Sequence, residues 1–541
     1  MPAPCPALIE PADVVGRYPA HGYTLPGLLQ SRAAVLGDKP CLEFEHARWS
    51  YAQLDARMRR TAAWLAARGV RAGDRVGVYS ANHPSTVSLL LGLAWLGAVM
   101  VPVNPEFGPA EAAYVFANAD VSGVVCAGDR YERTMLACAD LPRQPWIVAN
   151  EPLDGAPGLA AEIDACSAPL PACAAAPEAP CVFIYTSGTT GSPKGAMHGQ
   201  RGYVLTAEAF VVRLYLQPHD RAMCVLPLFH INALFYSLGG TLAAGATLVL
   251  VRRFSASAFW RVAAASRATT VNLIGAAATI LAKRPREEFD AGHALTKAFV
   301  APLDAFLLKT FQEEFHLPTL IECYGMTEIP GVLSNPFKGP RKLGSMGCVS
   351  PHLDPVLPQP ELRVVDAQMR DVPPGTPGQL LVRTPTLMLG YFRDPERTAA
   401  AFHDGWFLTG DIAWQDEDGY YWFVARQKDI IRVRGENVAG AELDRVLSMH
   451  PDILEAAAIG VPAPLGEEDI LAVVVPHPQA RLDAQEVARW VASHLAPIKV
   501  PRYVVFTETL PKTATQRVEK FKLKAERDLL ARAVPVTAQP A

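Results

Sequence analysis

With 541 residues, the chain exceeds what one hydrophobic core ordinarily serves, so a large body with at least one further domain is expected. Half of its residues are hydrophobic and 19% are charged, a globular balance that excludes a disordered chain. A formal net charge of −4 carries no polyanion-binding signature and argues against nucleic acid as a partner.

The opening stretch MPAPCPALIEPADVVGRYPA is broken by prolines and acids and lacks the basic-then-apolar form of a secretory signal. From Arg75 onward, short β-branched runs alternate with helix-length segments: RVGVYS, PSTVSLLLGLAWLG, AVMVPV, PAEAAYVFANA, SGVVCAG. That rhythm predicts a parallel α/β arrangement with both sheet faces covered. The longest apolar stretch, Leu89 to Val103, falls short of the ~20 residues a bilayer span needs and predicts a buried helix running into a strand. Residues 149–180, rich in Ala and Pro with little period, predict a surface connection. The α/β rhythm resumes with CVFIYTS, RAMCVLP, ATLVLV, ATTVNLI and PTLIECYG, and past Arg341 gives way to shorter strands with Gly and Pro turns. From about Ala425 a small α+β domain of roughly 110 residues is expected, ending in a frayed tail. Ten cysteines (5, 41, 126, 138, 166, 173, 181, 224, 323, 348) include no C-x-x-C pair and sit mostly in apolar runs, which suits reduced thiols of a cytoplasmic protein.

The most specific string is IYTSGTTGSPKGAMHG, Ile184 to Gly199. An apolar strand gives way to Thr186, Ser187, Gly188, Thr189, Thr190, Gly191 and, after Ser192 and Pro193, Lys194. Hydroxyls and free backbone N–H groups can wrap polyphosphate oxygens, glycines allow the close approach, and Lys194 adds a mobile charge. The order does not fit G-x-x-x-x-G-K-[ST], so this is not the nucleotide P-loop. A solvated Ser/Thr/Gly linker is the structural alternative, but a linker needs neither a buried strand before it nor a single lysine in it.

Thr186 to Gly195 resemble the phosphate loop [ST]-[ST]-G-[ST]-[ST]-G-x-P-K-G of the adenylate-forming superfamily of acyl-CoA synthetases, luciferases and peptide-synthetase adenylation domains. The likeness extends from about WSYAQLDARMRR to VEKFKLK. Within YGMTE, Tyr324 to Glu328, it implies Tyr324 in the nucleotide site, Thr327 against the α-phosphate and Glu328 on Mg²⁺. In WFLTGD it implies Asp411 on the ribose hydroxyls, and in ARQKDIIRVRGENV it implies Arg426 on ribose and Lys428 as a pivot. Gly435 and Glu436 would then face the CoA tunnel. In LPLFHINAL, His230 is either a gate between the acyl pocket and that tunnel or a packed structural histidine.

The implied fold is a large layered N-terminal domain with α/β subdomains and a β-rich section, residues 1–427, carrying a mobile α+β C-terminal domain, residues 428–541. The implied chemistry is acyl-CoA ligation: a carboxylate attacks the α-phosphorus of ATP, pyrophosphate leaves, and the CoA thiol displaces AMP from the acyl carbon. ATP or a ready acyl-adenylate, AMP, Mg²⁺ and coenzyme A are the implied ligands, with a hydrophobic carboxylic acid as substrate. The RVRGENVAGAELDRVL and APIKVPRYVVF segments resemble ligases of the carnitine and crotonobetaine type.

Two positions depart from the family pattern. KAFVAPL places Phe299 and Val300 where small residues usually border the adenine, which should narrow the adenine or acyl cavity. LPKTATQRVEK aligns with P-[KR]-T-x-[ST]-G-K-[IV]-x-[KR] so that Gln516 replaces the glycine and Arg517 the catalytic lysine. A planar guanidinium has a different reach and fixed donor directions, so adenylation is expected to weaken or fail while thioester formation survives. A separate adenylating ligase would then supply the acyl-adenylate. The alternatives are a fully ATP-dependent synthetase in which Arg517 or Lys520 does the lysine's work, an amide-forming or carrier-loading enzyme, and a catalytically silent adenylate binder.

Overall fold

The computed structural model describes residues 8–153, 155–186, 193–434, 436–463, 467–512, 518–526 and 528–536. The chain divides into two compact units, Met1–Glu361 with Arg383–Gly405, and Leu362–Val382 with Trp406–Ala541.

The first unit holds two seven-stranded sheets, each mostly parallel as the alternating pattern predicts. One runs Thr319–Ile321, Lys297–Ala301, Thr270–Ile274, Arg221–Cys224, Thr247–Leu250, Pro40–Phe44, Ala47–Ser50 in spatial order, parallel until its last hairpin. The other runs Gly390–Tyr391, Lys194–Gly199, Pro180–Thr186, Val99–Val103, Arg75–Tyr79, Gly123–Cys126, Trp146–Ala149. In it Lys194–Gly199 is antiparallel to both of its neighbours. The apolar stretch at 89–103 resolves as expected. Helix Pro84–Trp95 is buried along its whole length, and strand Val99–Val103 is buried on both faces. Pro84 occupies the first helical turn, where its missing N–H costs nothing.

Residues 149–180 differ from the expected plain connection. They contain helix Leu159–Ala165, which buries Leu159 and Ile163 at i, i+4 spacing. The Trp95 indole N–H donates to the Pro171 carbonyl at 3.0 Å, and the Ala174 N–H donates to the Trp95 carbonyl at 2.8 Å. Alanine between two apolar residues gives a helix face too narrow to register as a period.

In the second unit, strands Glu361–Val365, Gly378–Arg383, Trp406–Gln415 and Tyr421–Arg426 form an antiparallel layer. A separate sheet orders Ile453–Pro462, Glu468–Pro476, Tyr503–Phe506 and Val534–Pro535. Helices Gly440–Ser448 and Ala484–Ala492 turn Leu443, Val446, Leu447, Val487 and Val491 into its core, the spacing of an amphipathic stripe. The Trp490 indole N–H donates to the Val446 carbonyl at 2.8 Å and ties the two helices together. Among the described residues, no helix is long and apolar enough to cross a membrane.

Candidate active site

Strand Pro180–Thr186 and strand Lys194–Gly199 pair so that Thr186 lies directly across from Lys194. The β-branched and aromatic run CVFIYT buries the first strand and delivers its polar end to the carboxyl edge of the sheet, where open α/β sheets bind ligands. Thr186 Oγ1 is buried there without a hydrogen-bond partner among the described residues. Ser187, Gly188, Thr189, Thr190 and Gly191, which complete the predicted phosphate loop, lie outside the described residues, as do Gly435 and Arg517.

The Lys194 ammonium donates to the Tyr391 hydroxyl at 2.5 Å and lies 3.9 Å from the centre of that ring. Tyr391 in turn donates to Glu328 Oε1 at 2.7 Å, and Lys194 Nζ stands 3.5 Å from the same oxygen. Burial, reinforced by the Glu328 charge, raises the Tyr391 phenol far above its ordinary range, so it stays a proton donor. Glu328 is 5% exposed. Ammonium, phenol and carboxylate form one hydrogen-bonded chain that fixes the lysine at the start of its strand.

A tight turn presents the carboxylate. Strands Cys323–Met326 and Ile329–Ser334 pair antiparallel with Met326 opposite Ile329, which leaves Thr327 and Glu328 as the two-residue connection. The Glu328 carbonyl accepts the Met388 N–H at 2.9 Å, while the Leu389 and Phe392 N–H groups donate to the Met197 and Gly195 carbonyls. Residues 388–392 thus stitch the turn to the lysine strand. Tyr324 sits on the first strand of the hairpin.

His198, on the lysine strand, is 1% exposed, and burial pushes its imidazole down to about 4. A histidine whose folded pKa is depressed contributes stability that is complete above about 6.5 and is lost as pH falls toward 4, because the unfolded chain takes up the proton first. The shift corresponds to about 3 kcal/mol in full. The urea midpoint of the wild type is therefore expected to fall between pH 6.5 and 4.5 more steeply than that of His198→Gln; parallel profiles would remove His198 as a source of the acid sensitivity.

His230 closes the turn before the π-helical segment Asn232–Gly239. Its N–H donates to the Pro227 carbonyl, and its ring packs 4.4 Å from that of Phe229. Nε2 is shut off from solvent with no partner among the described residues, and burial pushes the imidazole down to about 4. A neutral ring with an open nitrogen suits a wall or gate better than an acid. Phe299 packs edge-on to Phe210 and Tyr236 at 5.0 and 5.9 Å, so its bulk fills an aromatic cluster behind this segment.

In the second unit, Asp411 and Arg426 are cross-strand partners. Asp411 is fully buried, and Arg426 Nε lies 3.0 Å from its Oδ1. The Asp411 N–H donates to Thr409 Oγ1, which donates to the Leu380 carbonyl, so the backbone carrying the carboxylate is tied to the neighbouring strand. Lys428 is exposed on the short turn Gln427–Asp429, and Glu436 opens strand Glu436–Ala439. Of the cations near the C-terminus, Lys512 is ion-paired with Glu455, and Lys520 Nζ lies 2.6 Å from Asp444. Asp444 also accepts the Ala458 N–H at 2.7 Å. Both lysines are therefore engaged inside their own unit. Tyr391 and His198 were not singled out in the sequence: one sits in a two-residue strand, and the other near the end of the Ile184–Gly199 string, past the residues that carry its pattern.

Residues 29–392 match the AMP-binding enzyme family, and residues 442–517 match the AMP-binding enzyme C-terminal domain. The chain is 35% identical to sulfoacetate–CoA ligase of Cupriavidus necator over 92% of its length and 97% of that protein. It is 30% identical to crotonobetaine/carnitine–CoA ligase of Salmonella paratyphi A over 95% of its length and all of that protein. Among solved structures, the anthranilate CoA ligase AuaEII in complex with anthranoyl-AMP superposes with a TM-score of 0.86 at 27% identity, covering 97% of this chain and all of that one. A lysine after the glycine- and hydroxyl-rich string, fixed to a hairpin carboxylate, and a buried aspartate paired with arginine thus occur in a chain matched along most of its length: it belongs to the AMP-binding enzyme family, within its acyl-CoA ligases, and is an acid–thiol ligase.

Proposed function

We propose that the enzyme forms acyl-CoA thioesters from acyl-adenylates and that its own ATP-dependent adenylation is weakened by Arg517. In the first half-reaction an acid carboxylate oxygen bonds to the α-phosphorus of ATP and pyrophosphate leaves. In the second, the CoA sulfur bonds to the acyl carbon, AMP leaves, and the thiol proton is released. Lys194, held by Tyr391, stabilises phosphate charge in the first step, and Thr327 beside it takes an α-phosphate oxygen. Asp411 accepts hydrogen bonds from the ribose hydroxyls, with Arg426 holding its charge in place.

Glu328 fits a Mg²⁺ site: one buried carboxylate on a fixed turn is what that ion takes when substrate phosphates and water complete its shell. A bound Mg²⁺ supplies charge neutralisation to the phosphates. Lys428 acts as the pivot between an N-terminal domain, 1–427, and a C-terminal domain, 428–541, whose Gly435 and Glu436 serve the thiol step. Buried thiols at Cys41, Cys126, Cys138, Cys181 and Cys224 suit a cytoplasmic enzyme.

The observation that carries the weakened first half is the engagement of both neighbouring lysines. Lys512 and Lys520 are committed to Glu455 and Asp444, so neither is a free substitute for the lysine that Arg517 replaces. The crotonobetaine/carnitine likeness persists at 30% identity but stands beside equal or greater likeness to ligases of other acids, so the acyl group rests on the pocket itself.

The test supplies CoA by two routes, acid with ATP and Mg²⁺ or the synthetic acyl-adenylate. Thioester is expected to form at least about 10²-fold faster by the adenylate route. Equal rates by both routes would overturn the weakened-adenylation proposal.

A further inference from the structure

Arg213 lies near the end of helix Gln200–Leu214 and is 3% exposed. Its Nε and Nη1 are buried and have no hydrogen-bond partner among the described residues, and no carboxylate there pairs with it. An enclosed guanidinium with open donors is costly to keep, and proteins ordinarily give such a group an anion. Glu322, next to Cys323 in the sequence, accepts the Leu303 and Gly344 N–H groups, one on each oxygen, and forms no ion pair with Arg213 among the described residues.

The surroundings converge on the open donors. A methyl group added at Gly331 would stand 3.0 Å from Arg213 Nη1 and 2.9 Å from the Tyr236 hydroxyl. Gly331 also has φ +47°, so a side chain is unwelcome there on two counts. The Tyr236 hydroxyl stands near Gly331, and burial raises its phenol, so it keeps a proton to donate. His352, 6% exposed, has both ring nitrogens without partners, and burial together with the Arg213 charge holds it neutral, at about 4. The groups facing Arg213 are thus Tyr236, Cys323 and His352, none of them an anion.

This cluster is continuous with the site already described. Tyr236 belongs to the helical segment that follows His230, and Gly331 to the hairpin whose connection is Thr327–Glu328. We propose that Arg213, with the Tyr236 hydroxyl, is the anion-receiving end of the acyl pocket, and that the substrate is a carboxylic acid bearing a second anionic group, a carboxylate or a sulfonate. The inference rests on the ligase function proposed above and adds a polar group to a surrounding that is otherwise apolar, with Phe210 and Phe299 packed against Tyr236. The first carboxylate reacts; the second neutralises Arg213 and positions the chain.

The test uses short acids of matched length ending in carboxylate, sulfonate or methyl, each supplied as its synthetic adenylate with CoA. Wild-type kcat/KM is expected to favour an anionic terminus by about 10²-fold or more, because a site built to pair a charged group leaves its donors open when that group is missing. The carboxylate and sulfonate arms identify which anion is taken. In Arg213→Met the preference is expected to collapse by at least about tenfold, while Tyr236→Phe narrows it less. If Arg213→Met does not fold, Arg213→Lys and the wild-type panel carry the comparison. Preference for the methyl-ended acid, or equal slowing of all three acids in the variants, would overturn the anionic terminus and leave the ligase function standing. Absence of thioester from every adenylate would overturn both.

Discussion

Replacing Arg517 with lysine is expected to raise ATP-dependent thioester formation by about 10²-fold or more. The reason is geometric. A compact ammonium can sit between the attacking carboxylate and an α-phosphate oxygen and follow both as charge moves, whereas a guanidinium directs its donors in a fixed plane and is bulkier at the point of attack. The gain should appear in the ATP-dependent route alone, with the rate from synthetic acyl-adenylate staying within about twofold, since the thiol step makes no use of that cation. Pyrophosphate release measured without CoA reports the first half-reaction directly. A variant that releases pyrophosphate no faster than the wild type would show that the deficit, if present, lies away from position 517. The engaged state of Lys512 and Lys520 gives a second readout: if either were the working cation, Glu455→Gln or Asp444→Asn would change adenylation, and neither is expected to.

Asp411→Asn is expected to weaken AMP binding by about 10²-fold, measured by titration calorimetry. A carboxylate offers two charged acceptors to two ribose hydroxyls, each such bond contributing about 1.5–3 kcal/mol, and asparagine keeps only one neutral acceptor. The substitution also strips Arg426 of its partner at the edge of a fully buried position, so a stability loss of about 2 kcal/mol accompanies it. The double variant with Arg426→Gln should recover part of that stability without recovering affinity, which separates the two roles. An unchanged AMP affinity would remove Asp411 from the nucleotide site.

Much of the fold was legible because its cause is local. Parallel strands buried on both faces need near-continuous apolar runs rich in valine, and Val99–Val103 and Gly123–Cys126 are such runs. The order of strands was not legible, since it is set by which helix covers which face. Lys194 could be singled out because a Ser/Thr/Gly-rich string with one lysine follows a buried strand, and Glu328 because YGMTE resembles a family motif. Tyr391 could not, because one tyrosine in a two-residue strand acquires its role only when residues 388–392 return to the first unit. Arg213 escaped for the same kind of reason: in AEAFVVRLY it reads as the polar face of an amphipathic helix, and its enclosure is a property of the packed structure.

The return of residues 383–405 to the first unit also bears on how the enzyme can be divided. A fragment ending at Glu361 would keep Lys194 and Glu328 yet lack the phenol between them and the Met388 N–H that anchors the hairpin. Any scheme that exchanges the small unit among relatives therefore has to leave this short excursion behind, because it is the part of the chain between the two halves of the second unit that belongs to its neighbour's chemistry.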